Sequence, residues 1–282
     1  MTIREFIQST TNQLKEDGVH TPRLDAELIA SLVLGINRTD LIIKSSESIS
    51  EGNKNKINEL IRRRINGEPI AHFTGEKEFY SINFKVNNKV LVPRPETEII
   101  VDAAIGIIEQ NDKTKIVDMG SGSGCIGATI LRLRKESSLV AIDISEEALA
   151  VTKENAERLG VLSRCQFMNA DIHKINPKDE AFSNVGLVVA NPPYIDANDP
   201  LLDTKTLRFE PSIALYSKDS GYRDPVGWAE KSAQILKPSG VLLMEIGADQ
   251  SERLEKIFKQ WFKKISLLED LQGIPRVVWA EK

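Results

Sequence analysis

The 282-residue sequence predicts an α/β protein, a mostly parallel β-sheet wrapped by helices and preceded by a small helical bundle and a β-hairpin. Three observations predict it. From residue 115 onward, short apolar runs alternate with amphipathic stretches, the pattern of parallel strands joined by crossover helices. Residues 1 to about 70 carry apolar side chains at helical spacing. Between them, residues 73–93 partly alternate apolar and polar positions, as a half-buried hairpin does.

At the N-terminus Ile3, Phe6, Ile7 and Leu14 recur at helix spacing. Thr21-Pro22 reads as a helix start, with Thr as cap and Pro in the first turn. Leu24, Leu28, Ile29, Leu32 and Val33 then line one face until Gly35. Ser50 opens a further helix whose inward side is Ile57, Leu60, Ile61 and Ile65, with Gly67 at its end. These stripes read as core. In the hairpin segment Phe79, Ile82, Phe84 and Val86 partly alternate, and Asn87-Asn88 is turn-like. The prolines of LVPRPETE (91–98) hold the chain extended or turning before a helix near Glu96.

The remainder alternates. Strands are expected at KIVDM (115–119), LVAID (139–143), CQFMNA (165–170), GLVVAN (186–191) and VLLMEIG (241–247), with SLLEDL and RVVWA closing the chain. Helices are expected over 125–135, 145–159 with Ser145 as cap, 225–236 and 251–262. Ligands on such sheets sit beyond the strand C-termini, where the strand order reverses.

Composition sets outer bounds. Apolar residues at 41% and charged residues at 28% describe a soluble globular chain. The formal net charge of −4 supplies no basic excess for gripping nucleic acid, and residues 1–75 hold ten Lys plus Arg against ten Asp plus Glu. The one tight basic run, Arg62-Arg63-Arg64, reads as a solvated helix end. Cys125 and Cys165 make no CxxC pair, and His20, His72 and His173 have no metal spacing. The amphipathic N-terminus with Glu5 reads as neither signal nor transit peptide, and no apolar run approaches the roughly 20 residues of a membrane span. A cytoplasmic chain with reduced thiols, no membrane contact and no metal is expected.

Two segments carry chemistry. Asp118-Met119-Gly120-Ser121-Gly122-Ser123-Gly124 lies between a strand and a helix, and Asp143 ends the next strand at the distance suited to ribose hydroxyls. The string from Gly122 to Gly127 satisfies GxGxxG, which alone is a weak signal. A dinucleotide and S-adenosylmethionine both fit. Asp118 tilts the choice toward the methyl donor, because a carboxylate suits the methionyl ammonium and repels a pyrophosphate. Asp118 and Asp143 also have plain structural readings, as a turn cap and a helix-capping Asx turn. Asp171, after the third strand, is placed for adenine or its rim.

The second segment, Asn191-Pro192-Pro193-Tyr194, is the more specific. Consecutive prolines hold the backbone extended and remove two N–H donors, which leaves carbonyls free at a strand end. The Asn191 side chain adds an acceptor, so an –NH₂ group can be held by both hydrogens. Tyr194 offers a flat face for stacking. Such a clamp suits a planar amine or amide whose nitrogen must be aimed at a methyl carbon, and Asn191 cannot itself act as a base.

With these residues in view, the chain resembles the release factor glutamine methyltransferases, the HemK/PrmC family. GEPIAHFTGEKEFY (67–80), LVPRPETE, VDMGSGSGCI (117–126), NPPYI (191–195), RFEPSIAL (208–215) and GIPRVV (273–278) follow that family's pattern in order. The resemblance implies a helical bundle (1–72) that docks the release factor, a hairpin linker (73–93), and a Rossmann-like, seven-stranded catalytic domain (94–282) whose last strand is antiparallel. It implies methyl transfer from S-adenosyl-L-methionine, leaving S-adenosyl-L-homocysteine, to the glutamine side-chain amide of the Gly-Gly-Gln loop of class-1 peptide chain release factors. The enzyme is expected to be a monomer. Carried over by position, Gly120, Ser121, Gly122, Ser123, Gly124 and Asp143 would hold the donor, Asp171 and Ile172 would flank adenine, and Asn191 to Tyr194 would clamp the glutamine. Where the family often has an aromatic residue this chain has Ile172, which has no ring to stack. Arg94, Pro95 and Glu96 would wall the donor pocket, and Glu210 is either a loop anchor or a substrate contact. The rivals are a nucleic acid adenine amino-methyltransferase, whose flipped base would use the same clamp, an NAD-dependent oxidoreductase, and a non-catalytic scaffold.

Overall fold

The computed structural model of the chain describes residues 1–200 and 204–282, which form two compact units. The first is helical: α1 (Ile3–Glu16), α2 (Pro22–Leu34), α3 (Arg38–Ile43), α4 (Glu51–Ile65) and α5 (Ile70–Thr74), with a short helix, Thr204–Leu207. Ile3, Phe6, Leu14, Ile29, Ile57 and Ile61 form its core, as their spacing predicts. The stripe on α2 is corrected. Leu24 and Leu32 are 38% and 42% exposed. The buried face is Asp25, Ala26, Ile29 and Ala30, and the two alanines let neighbouring helices approach. Ser50 caps α4, accepting from the Asn53 N–H at 3.3 Å. Thr21 makes no backbone cap, because its hydroxyl donates to buried Asp25 at 2.8 Å. The basic run is correspondingly more than a solvated end: Arg64 pairs with Asp25 at 2.7 Å and Arg63 binds Glu68 through two nitrogens.

The second unit opens with the hairpin β1 (Glu76–Phe79) and β2 (Ile82–Lys85). Its turn is Tyr80-Ser81, with φ of 53° and 58°, the geometry of a primed two-residue turn. Two non-glycine residues hold it because Glu98 accepts the Tyr80 N–H at 2.7 Å and Asp102 accepts its hydroxyl at 2.9 Å. Asn87-Asn88 instead turns the chain after β2, with the Asn87 side chain accepting from Lys89 N.

Helix α6 (Glu98–Ile107) leads into β3 (Lys115–Met119), α7 (Cys125–Leu133), β4 (Ser138–Asp143), α8 (Glu146–Arg158), β5 (Cys165–Asn169) and β6 (Val185–Ala190). After α9 (Ser212–Leu215) and α10 (Arg223–Ile235) come β7 (Leu236–Glu245), α11 (Ser251–Phe258), β8 (Lys264–Glu269) and β9 (Pro275–Glu281). The seven-stranded sheet has the order β5-β4-β3-β6-β7-β9-β8, parallel through β7, with β9 antiparallel to both its neighbours. The expected fold class holds. Central strands read as unbroken apolar runs because both faces are covered: all six residues of β6 are buried. Val117, Met119, Val188 and Trp228 pack on one face, and Ile116, Ile126, Leu187 and Leu243 on the other. From β3 the chain moves outward through β4 and β5, then returns to β6. The order therefore reverses between β3 and β6, whose C-termini carry the two motifs.

Candidate functional site

At that reversal lies a cavity of about 290 Å³. Gly120, Ser121, Gly122, Ser123, Asp143, Asp171, Ile172, Asn191 and Pro193 are among the residues that line it. Asp118, Gly124, Pro192 and Tyr194 are not. The site thus draws on four strand ends, with Gly120 and Asn191 71 residues apart in sequence.

The glycine loop turns through left-handed φ of 70° at Gly120 and 55° at Gly122. A Cβ on Gly120 would stand 2.6 Å from the Trp228 indole, so that glycine exists for packing. A Cβ on Gly122 would meet nothing closer than 3.9 Å, so its open side belongs to the cavity. The N–H groups of Gly120 and Ser121 donate to Ile142 O, that of Gly122 to Asp143 Oδ2 at 2.9 Å, and that of Gly124 to Ser121 O. These donors are therefore turned into the protein and hold the loop's shape. Two residues of α8 brace it: Thr152 donates to Gly122 O at 2.8 Å and Asn155 to Ser123 O at 2.8 Å. Asn155 also binds both the N–H and the carbonyl of Lys85, joining hairpin to loop. Sequence reading missed both, since a Thr and an Asn within a helix carry no special pattern.

The three acids differ. Asp118 shares a sheet face with Ile116, by the period of two, and so points beneath α7. It is 1% exposed, accepts from Gly127 N at 3.1 Å, and its Oδ1 has no hydrogen-bond partner among the described residues. Burial pushes its carboxyl up to about 7. Its carboxylate is turned to the Gly127 N–H, and Asp118 is not among the residues that line the cavity. Asp143 does reach it. Its Oδ1 accepts from Ser145 N at 2.9 Å, the Asx geometry, and its Oδ2 closes the loop, leaving a lone pair on each oxygen. Burial pushes this carboxyl up, against the N–H groups of Ser145 and Gly122. Asp171 caps a single turn through His173 N and pairs with Lys174 at 3.1 Å. Partial burial raises its carboxyl, but Lys174 and the His173 N–H hold it below the ordinary value. Ile172 and the 49% exposed Ile144 offer apolar walls beside it.

Around the second motif lies a polar cluster that the sequence did not announce. Asn191 Nδ2 donates to Thr97 Oγ1 at 3.3 Å, and Thr97 Oγ1 donates to Glu245 Oε2 at 2.5 Å. Tyr194 donates its hydroxyl to Glu245 Oε1 at 3.1 Å. Glu245 is 3% exposed and burial pushes its carboxyl up. Tyr194 is held with its hydroxyl directed inward, its phenol pushed up by burial and by Glu245. Tyr194 is not among the residues that line the cavity. Gln250 fixes the motif's backbone, donating to Tyr194 O and Gly221 O.

The 91–98 segment supplies Leu91, Pro93, Arg94 and Thr97 to the wall; Pro95 and Glu96 do not line it. Glu210 is the anchor of this segment, accepting from Val92 N at 2.8 Å and pairing with Arg94. No cluster able to hold a metal occurs among the described residues, and no described helix is long and apolar enough to cross a membrane.

The chain matches the model of the PrmC N-terminal domain over residues 5–75 and a methyltransferase domain model over residues 110–277. It is 32% identical over 285 residues to the release factor glutamine methyltransferase of Nitratidesulfovibrio vulgaris, covering 100% of this chain and 95% of that protein. It is 34% identical over 298 residues to the bifunctional methyltransferase of Rickettsia typhi, covering 98% of this chain but only 57% of that longer protein. Among solved structures, the hMettl16 catalytic domain superposes with a TM-score of 0.54 at 13% identity, covering 71% of this chain and 74% of that one, a likeness of fold alone.

Proposed function

Because the chain belongs to the release factor glutamine methyltransferases, we propose that it methylates the side-chain amide nitrogen of the glutamine in the Gly-Gly-Gln loop of class-1 peptide chain release factors. S-Adenosylmethionine supplies, when bound, an electrophilic methyl on a sulfonium that leaves as neutral S-adenosylhomocysteine. On this reading Asp143 accepts the ribose hydroxyls through its remaining lone pairs, the loop from Gly120 to Gly124 shapes the donor's bed, and Ile144, Asp171 and Ile172 border the adenine. The helical unit docks the release factor, in keeping with its match to the PrmC N-terminal domain.

One observation carries the substrate side. The Asn191 Nδ2 is turned inward to Thr97, and among the described residues no donor reaches Oδ1. A side-chain carbonyl is thus presented at the cavity wall. Asn191 Oδ1 and a backbone carbonyl of the proline pair accept the two N–H bonds of a planar amide. That fixes the nitrogen's aim and raises its electron density, so that the residues act by positioning and by electrostatics. No base is required of Asn191: the nitrogen–methyl bond forms as the sulfur–methyl bond breaks, and the nitrogen then gives up one proton to water.

The test is incubation with labelled donor and either a class-1 release factor or DNA, with mass spectrometry of the Gly-Gly-Gln peptide. Label on that glutamine is expected. Label on DNA alone would replace this reading with the adenine one.

A further inference from the structure

Glu245 sits where β7 calls for an apolar side chain. By the period of two it shares a face with Val241 and Leu243, both core residues. A buried carboxylate costs several kcal/mol of desolvation unless donors surround it. Here donors do: the hydroxyls of Thr97 and Tyr194 each donate to one of its oxygens, and the Asn191 amide also lies close enough to favour its charge. An apolar residue would fill the same space without that cost.

The geometry points to a role: we infer that Thr97 and Glu245 are positioning residues that set which way the Asn191 amide faces. The Thr97 hydroxyl has one hydrogen, committed to Glu245 at 2.5 Å. Toward Asn191 it therefore presents only lone pairs. An amide turned with Nδ2 inward donates to it; an amide turned the other way would oppose two acceptors. With one Glu245 oxygen accepting from Thr97 and the other from Tyr194, the direction of the whole chain is fixed, from Asn191 through Thr97. Oδ1 is thereby kept outward. The same carboxylate holds Tyr194, so both ends of the motif hang on one side chain. Glu96, a like charge that pushes the Glu245 carboxyl up further, is the other titratable group acting on it.

This inference rests on the clamp proposed above, and the experiment separates the two. The full chain carrying Thr97→Val, Thr97→Ser, Glu245→Gln or Asn191→Ala is assayed for kcat on a release factor, with donor Kd and melting temperature measured in parallel. Valine keeps the shape of threonine and removes the relay. Thr97→Val and Glu245→Gln are expected to lower kcat 10- to 100-fold with donor Kd unchanged, and Thr97→Ser to stay within about threefold of the parent. A Thr97→Val enzyme with normal kcat beside an inactive Asn191→Ala overturns the inference and leaves the clamp standing. An active Asn191→Ala overturns both. Loss of kcat in Thr97→Val and Glu245→Gln only in step with lost donor binding and lower melting temperature assigns the pair to structure and also overturns it.

Discussion

Glu210 Oε1 accepts the backbone N–H of Val92 at 2.8 Å, across 118 residues of sequence. Through this bond and the pairing with Arg94, the loop before α9 fixes the segment that gives Leu91, Pro93 and Arg94 to the cavity wall. It explains why LVPR and RFEP belong together.

Glu210→Ala should therefore leave a buried N–H without an acceptor, at about 1–3 kcal/mol. A lower denaturation midpoint and weaker donor binding are expected, with Glu210→Gln milder because its carbonyl can still take the Val92 N–H. Equal midpoints for Ala and parent would show that the segment holds its shape unaided.

Asp143 offers the second prediction. Asp143→Ala removes a carboxylate that meets both the cavity and the glycine loop. Charge-assisted hydrogen bonds contribute about 1.5–3 kcal/mol each, so the dissociation constant for S-adenosylmethionine should rise roughly 10- to 100-fold. Calorimetric titration measures this directly, and unchanged affinity would remove Asp143 from the donor site.

Asp118 predicts a pH dependence. Its carboxyl is raised from 3.8 to about 7, first by burial. Between those values the folded chain keeps a proton that the unfolded chain has released. Stability should accordingly fall as pH climbs from about 4 to about 7, and level off above. Asp118→Asn carries no such proton. The stability of the parent relative to Asp118→Asn should thus drop by a few kcal/mol across that window, since each tenfold difference in proton affinity between the folded and unfolded chains is worth about 1.4 kcal/mol. Urea unfolding of the donor-free protein at several pH values tests it; a flat difference would mean the buried charge has found compensation.

Asn155, 1% exposed, joins β2 to the glycine loop by three hydrogen bonds. Asn155→Ala should orphan the Lys85 N–H and cost about 1–3 kcal/mol, read as a fall in melting temperature, with donor affinity falling as Ser123 O loses its brace. A normal donor affinity at reduced stability would confine Asn155 to the hairpin.

Local chemistry wrote much of this protein in readable form. Gly120 to Gly124 stand after an apolar strand, the prolines at 192 and 193 can end one, and the Ser50 and Ser145 caps begin helices where they should. Each of these depends on neighbours close in sequence. The hairpin turn at Tyr80-Ser81 was not legible, because distant side chains, Glu98 and Asp102, make a left-handed pair tolerable. Leu24 and Leu32 misled for a related reason: an apolar stripe tells which residues can be buried, while the partner helices decide which are.

By itself the sequence determined the α/β class, the helical unit ahead of it, the order of the strands along the chain and the two motif loops, since periodicity and backbone restriction are properties of short segments. Only the tertiary structure decided that β3 and β6 end side by side, that Asp118 points beneath α7 while Asp143 faces the cavity, and that Thr97 and Glu245 converge behind Asn191. Hydrogen bonds act over about 3 Å, and which donor comes within that reach of which acceptor is fixed by strand register and packing between residues as far apart as 97 and 245.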